Sequence, residues 1–262
     1  GLGLNTAVQD AHNLAWKLAA VVHGRAHPSL LDSYASERQA IGRRNVDWAM
    51  FTALNHGVLD AGMGFSPLHT DALRAANFEM FFSDTPMGAT RRARATEVFE
   101  TQRTEFQAHD LEIGFCYTAG ALIDDGTPPP IPDPMGGNYQ ATTHPGHRLP
   151  HAWLSHAGQR LSSHDLAGSE GAFVLITGND GVAWQSAATV VAERLGVKLV
   201  QAAIGAGQAY TDVDGQWAAL REISEQGALL VRPDNHVGWR CHAAVGDATA
   251  TLESALRGLL GR

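Results

Sequence analysis

Two glycines one residue apart, Gly1 and Gly3, followed by Leu4, Asn5 and Thr6, are the residues of this 262-residue sequence best suited to hold a ligand by its backbone. Glycine has no Cβ, so the main chain around it can approach a ligand closely. Asn5 or Thr6 can then cap a helix whose first N–H groups lack intrahelical acceptors and point back toward the turn. Thr6 with Gln9 fits a capping box, and Gly24 sits where a C′ glycine ends a helix. Ala7, Ala11, Leu14, Leu18 and Val21 recur at helical spacing and predict one buried face. The positive end of such a helix favours an electron-rich group, but this physics alone names no ligand.

Histidines and cysteines offer a second kind of chemistry. His144, His147, His151, His156 and His164 fall within one stretch, and imidazole is a common metal ligand. Pro145 and Pro150 prevent a helix from aligning His147 with His151, and no cysteine or carboxylate stands nearby at a ligand spacing. The reading is therefore loop and surface histidines, with no metal site. Cys116 and Cys241 lie far apart with no Cys-x-x-Cys spacing, which fits a reduced, cytoplasmic setting. Glu37 and Arg38 read as a charged pair near a helix surface, with a catalytic role as the alternative.

Composition bounds the partners. With 44% hydrophobic and 18% charged residues the chain can bury a sizeable core. A formal charge of −8 argues against nucleic acid, and the run Arg91, Arg92 and Arg94 reads as a solvated helix face. No apolar stretch reaches the roughly eighteen residues of a membrane span, and no leader pattern is visible.

The elements that position these residues follow from periodicity. Ser29 can cap a second helix through Trp48, a loop is expected at 57–67, and helices at 70–82 and 90–108. Met63, Met80, Met87 and the nearby phenylalanines could line an aromatic pocket, with core packing as the default. Residues 111–123 predict a strand. The proline-rich run 124–134 predicts an extended linker rather than a ligand for a proline-reading domain. Beyond it come a strand at 172–176, helix 183–195, strand 197–204, helix 215–223, strands 228–232 and 237–241 around a turn at Pro233 to His236, and helix 247–260. That β-α-β-α-β-β-α order is that of a thioredoxin-like domain. A redox role would need a thiol at the start of the helix after the first strand, where the turn 177–182 has no sulfur.

The run from Gly1 to Leu18, with its Gln9-Asp10-Ala11-x-Asn13-Leu14-Ala15-Trp16-Lys17-Leu18 helix, resembles the third fingerprint of FAD-dependent aromatic hydroxylases, the class A flavoprotein monooxygenases. The stretch 33–38 resembles that family's next segment. Residues 145–154 and 231–240 resemble the C-terminal domain of its phenol and dichlorophenol hydroxylase members, whose relatives include polyketide hydroxylases. The resemblance implies that Gly1, Gly3, Leu4 and Asn5 lie against the pyrimidine edge of the FAD isoalloxazine. It also implies NADPH or NADH as reductant and a small aromatic substrate. The family's Gly-x-Gly-x-x-Gly loop and Gly-Asp motif should precede Gly1, so a missing N-terminal FAD-binding portion is an expected partner.

The expected organisation is therefore α/β. Residues 1–125 form a mostly helical remainder of a flavin monooxygenase core, 126–146 a proline-rich linker, and 147–262 a thioredoxin-like domain. The alternative function is a redox-inert structural or dimerising module, with a homodimer as its assembly; a stand-alone binding module is a third. No proton-transfer residue can be assigned.

Overall fold

The computed structural model describes residues 2–262. Helix α1 (Gly3–Val22) ends as expected at Gly24, which takes a left-handed φ of 67° while its N–H reaches the Val21 carbonyl. A short turn whose N-cap is the His27 ring leads into α2 (Asp32–Met63), a 32-residue helix that extends into the loop expected at 57–67 and leaves only its last part non-helical. The helix tolerates Gly57 and Gly62, and Gly62 has a reason: a Cβ there would come 2.9 Å from Val98 Cγ2. Gly64, at φ 86°, finally ends it.

Helix α4 (Pro86–Phe99) packs on α2 and α3 (Asp71–Phe82) on α4, and both start where side chains cap them, Thr70 on the Leu73 N–H and Thr85 on the Gly88 N–H. The basic run is not simply a solvated face. Arg92 donates to the carbonyls of Phe81 at 2.6 Å and Ser83 at 2.8 Å, closing the C-terminal end of α3. Packing around α3 is thin: it has no buried residue, and Phe78 and Phe82 are 57% and 63% exposed, so core packing of these rings is not what the fold provides. No helix among the described residues is long and apolar enough to cross a membrane.

After two short helices, α5 (Arg103–Phe106) and α6 (His109–Ile113), the strand expected at 111–123 is absent. Its apolar side chains Leu111, Phe115, Tyr117 and Ala121 are buried, Phe115 and Tyr117 together against Ile41, and the backbone joins a ladder only at the Cys116 to His147 bridge. The proline-rich segment forms no regular element, as its missing N–H donors dictate. It is nonetheless docked rather than free. Arg240 donates to Asp125 at 2.6 Å and Thr127 at 2.9 Å, and Glu222 accepts from the Thr142 hydroxyl and the Thr143 N–H, both at 2.8 Å.

The remaining residues supply two sheets. A hairpin unforeseen in the sequence, β1 (Trp153–His156) and β2 (Gln159–Ser162), turns at Ala157 and Gly158, both at positive φ, and pairs on its other side with β5 (Thr211–Asp212). The main sheet has the order β4-β3-β6-β7, built from β3 (Phe173–Thr177), β4 (Leu199–Ala203), β6 (Ala228–Val231) and β7 (Val237–Cys241). β3 and β4 are parallel; the other pairs are antiparallel. With α7 (Val182–Leu195), α8 (Gln216–Leu220) and α9 (Ala248–Leu259), the β-α-β-α-β-β-α succession matches the expected one within a few residues at each end. One apolar cluster between this sheet, α7 and α9 also takes in Trp16, Ala26 and Leu30, so α1 is packed into the C-terminal core.

Candidate functional site

Three of the four residues expected at the flavin form the first turn of α1. Gly3, Leu4 and Asn5 are all exposed, Leu4 by 78%. Gly1 lies outside the described residues. The helix starts earlier than its sequence signals suggest, so neither Asn5 nor Thr6 caps it and no side chain does. Thr6 instead donates its hydroxyl to the Leu2 carbonyl and accepts from Asn45 Nδ2, both at 2.9 Å. The capping box is absent too, since Gln9 accepts from Arg38 at 3.1 Å and donates to the Glu112 carbonyl at 3.4 Å. The amides of Gly3 and Leu4 precede the first helical bond found among the described residues, Thr6 to Leu2. A cavity of about 270 Å³ opens beside this turn, lined by Leu2, Asn5, Thr6, Gln9, Asn45 and Leu111 to Ile113.

What holds the turn in place is a set of charges, of which Glu37 and Arg38 were expected near a helix surface. The buried face of α1 carries Asn13, Trp16 and Lys17, whereas Ala7, Ala11 and Leu18 of the predicted apolar face are exposed. Glu37 is 1% exposed and Arg38 3%. The Glu37 carboxylate accepts from Asn13 at 2.6 Å, Lys17 at 2.8 Å, the Ala121 N–H at 2.8 Å and both terminal nitrogens of Arg232 at 2.9 and 2.8 Å. Arg232 also donates through Nε to Asp234 at 3.0 Å and lies 5.3 Å from the centre of the Trp16 ring. Two carboxylates and two cations balance, which is how so much charge persists without water.

The electrostatics follow from that packing. Burial, then the Arg232 cation, pushes the Lys17 ammonium down to about 8 against the pull of Glu37. Burial alone would raise the Glu37 carboxyl, but Arg232 and Lys17 hold it below its ordinary range. Beside them Arg38 donates to Asp10 at 2.7 Å and to the Tyr117 hydroxyl at 3.3 Å, and burial raises that phenol to about 12. These groups are locked in mutual bonds; they anchor α1 rather than exchange protons. The signal available in the sequence was Arg232 and Asp234 following an unbroken apolar strand, a place where charge requires a partner.

The histidines are not all on the surface. His144 and His147 are 8% and 5% exposed, and Cys116, some thirty residues upstream, brings its sulfur within 4.8 Å of both. The trio is poorly disposed to take a metal. His144 Nδ1 and Nε2 face the carbonyls of Pro145 and Thr127 at 2.8 and 2.9 Å, and burial pushes the Cys116 thiol up to about 11. Asp124, Asp125 and His144 form a second close group, in which Asp125 is already paired with Arg240. His151, His156 and His164 bond to Ser162, Ala209 and Leu149. Next to the trio, Ile41, Trp48, Phe115 and residues 129–134 line a cavity of about 450 Å³.

Known proteins share this architecture. Residues 142–262 match the family description "aromatic-ring hydroxylase, C-terminal", and residues 1–49 match "FAD binding domain". Phenol 2-monooxygenase of Pseudomonas sp. strain EST1001 is 41% identical over 98% of this chain and 42% of its own length. 2,4-Dichlorophenol 6-monooxygenase of Cupriavidus pinatubonensis strain JMP 134 is 38% identical over 100% of this chain and 44% of its own. The crystal structure of the flavin-dependent monooxygenase PieE in complex with FAD and substrate superposes with a TM-score of 0.87 at 39% identity, covering 100% of this chain and 45% of that one. The chain thus spans less than half the length of the relatives it matches, and across that span it belongs to the aromatic-ring hydroxylase family of FAD-dependent monooxygenases.

Proposed function

We propose that this chain is part of an FAD-dependent monooxygenase that uses NADPH or NADH and O₂ to hydroxylate a phenolic or polyketide aromatic ring. The observation that carries the reading is the first turn of α1: exposed, without a side-chain cap, and anchored from behind by the Glu37 and Arg232 network. When bound, FAD supplies the oxygen chemistry, and the protein supplies position and water exclusion. The Gly3 and Leu4 amides would orient the electron-rich edge of the flavin ring, aided by the helix dipole. Gly3 leaves that approach open, since a Cβ there would meet nothing within 4 Å. Leu4 would cover the ring edge against water, and Asn5 would add a polar contact.

The same reading assigns residues 1–125 to the FAD- and substrate-binding core and 126–146 to a linker. It gives residues 147–262 to a thioredoxin-like domain serving structure or a homodimer, in a cytoplasmic protein. The other partner is the FAD-binding portion that makes up the rest of the relatives' length. Incubating the whole protein with a phenol, NADPH and isotopically labelled O₂ tests the activity: one labelled oxygen in the ring product is expected. Reductant oxidation that yields only peroxide across phenolic and polyketide substrates would overturn it.

A further inference from the structure

Among the described residues, three side-chain acceptors without partners belong to residues around one cavity. Of about 240 Å³, it lies where the middle of α1 faces the turn between β6 and β7, and its walls include Gln9, Asn13, Arg148, Asn235 and His236. Asn13 gives its amide nitrogen to Glu37 at 2.6 Å and Asp234 at 3.4 Å, which leaves Oδ1 as a pure acceptor, buried and unbonded. His236 Nδ1 lies 3.0 Å from the Asp234 carbonyl and so carries the hydrogen, leaving Nε2 with the lone pair, also buried and unbonded. Asn235 Oδ1 is the third. Asn13 and His236 are 1% and 6% exposed, so neither side chain can swing out to bulk water to satisfy itself.

A cation completes the set. Arg148 bonds to His164 Nδ1 at 3.4 Å rather than to a carboxylate. The carboxylates of the cavity wall are already taken, Asp234 by Arg232 and Glu112 by His109 at 3.2 Å. A ligand that matches this wall must bring several hydroxyl donors for the acceptors and one anionic group for the guanidinium. The volume falls below the roughly 300–1,000 Å³ of pockets for drug-sized ligands, so only a small molecule or one arm of a larger one enters. We propose that this cavity binds a pentose phosphate, free or as the sugar-phosphate arm of a nucleotide. The sugar hydroxyls donate to Asn13 Oδ1, Asn235 Oδ1 and His236 Nε2, and the phosphate lies on Arg148.

The test is calorimetric titration of the whole protein with ribose 5-phosphate, ribose and inorganic phosphate. Ribose 5-phosphate is expected to bind more tightly than either part. Arg148→Gln should weaken the phosphate ester about tenfold while sparing ribose. Asn235→Gly should weaken ribose and its phosphate alike. Glycine suits the left-handed φ of 63° at that position, so this second variant stays readable if the first fails to fold. Nicotinamide mononucleotide carries the same arm and riboflavin 5′-phosphate its open-chain ribityl counterpart, and tighter binding of either supports the proposal and identifies the source. Equal affinity for inorganic phosphate alone, no binding of any probe, or binding unchanged in both variants would overturn it.

Discussion

Arg232 and Glu37, 195 residues apart in sequence, form a two-pronged ion pair at 2.9 and 2.8 Å in which neither side chain is accessible to solvent. The pair ties the turn after β6 to α2, and through Lys17 and Asn13 it fixes the third and fourth turns of α1. Removing one partner strands a buried charge. Glu37→Ala should therefore destabilise the fold by about 3–5 kcal/mol in urea unfolding, and Arg232→Met by a similar amount. Replacing Lys17 by Met in the Glu37→Ala background should recover part of that loss, because the unpaired cations no longer repel. A Glu37→Ala cost under about 1 kcal/mol would show the network to be incidental.

His147 makes stability fall with acid. Burial, with His144 beside it, pushes its imidazole from 6.5 down to about 4. The unfolded chain therefore binds the proton first, and stability is lost as pH drops from 6.5 toward 4. The loss between pH 7 and pH 5 should be about 2 kcal/mol in urea midpoints. His147→Gln should flatten that slope by the same amount. An unchanged slope would assign the acid sensitivity elsewhere.

The C-terminal domain should be inert in thiol chemistry. α7 begins at Val182 behind Gly181, with no sulfur to gain from the helix dipole. Burial raises the Cys116 thiol to about 11, and Cys241 donates to the Ala243 carbonyl at 3.3 Å. The protein should show no insulin disulfide reduction above background. Cys116→Ser with Cys241→Ser should leave the proposed hydroxylase turnover of the whole protein within about a factor of three. Reductase activity lost in the double variant would reverse this assignment.

Local pattern made some of this legible and hid the rest. The strands at 173–177 and 228–231 were readable as nearly unbroken apolar runs, and 237–241 because it follows the second of them across the turn at Pro233 to His236. α1 was readable as a helix, but its buried side was not. Apolar periodicity points to Ala7, Ala11 and Leu18, while burial follows Asn13 and Lys17 because their partners arrive from Glu37 and Asp234, distant in sequence. Leu4, Val8, Leu18 and Val22 are left exposed, which is consistent with a chain spanning 42% of its phenol 2-monooxygenase relative. α2 was read as ending early because the glycines from Gly57 onward look like breakers, and only the structure shows Val98 against Gly62.

The most direct test of the central claim is a chimaera in which residues 1–262 replace the matching 42% of Pseudomonas phenol 2-monooxygenase. The account predicts that the chimaera retains FAD through gel filtration and oxidises NADPH in response to phenol. It further predicts that Asn5→Val, which trades residues of similar helix propensity at an exposed position, weakens FAD retention about tenfold with no loss of apo-protein stability. A chimaera that folds but holds no FAD, or an Asn5→Val variant that loses apo stability and flavin affinity in equal measure, would contradict the placement of this turn at the flavin.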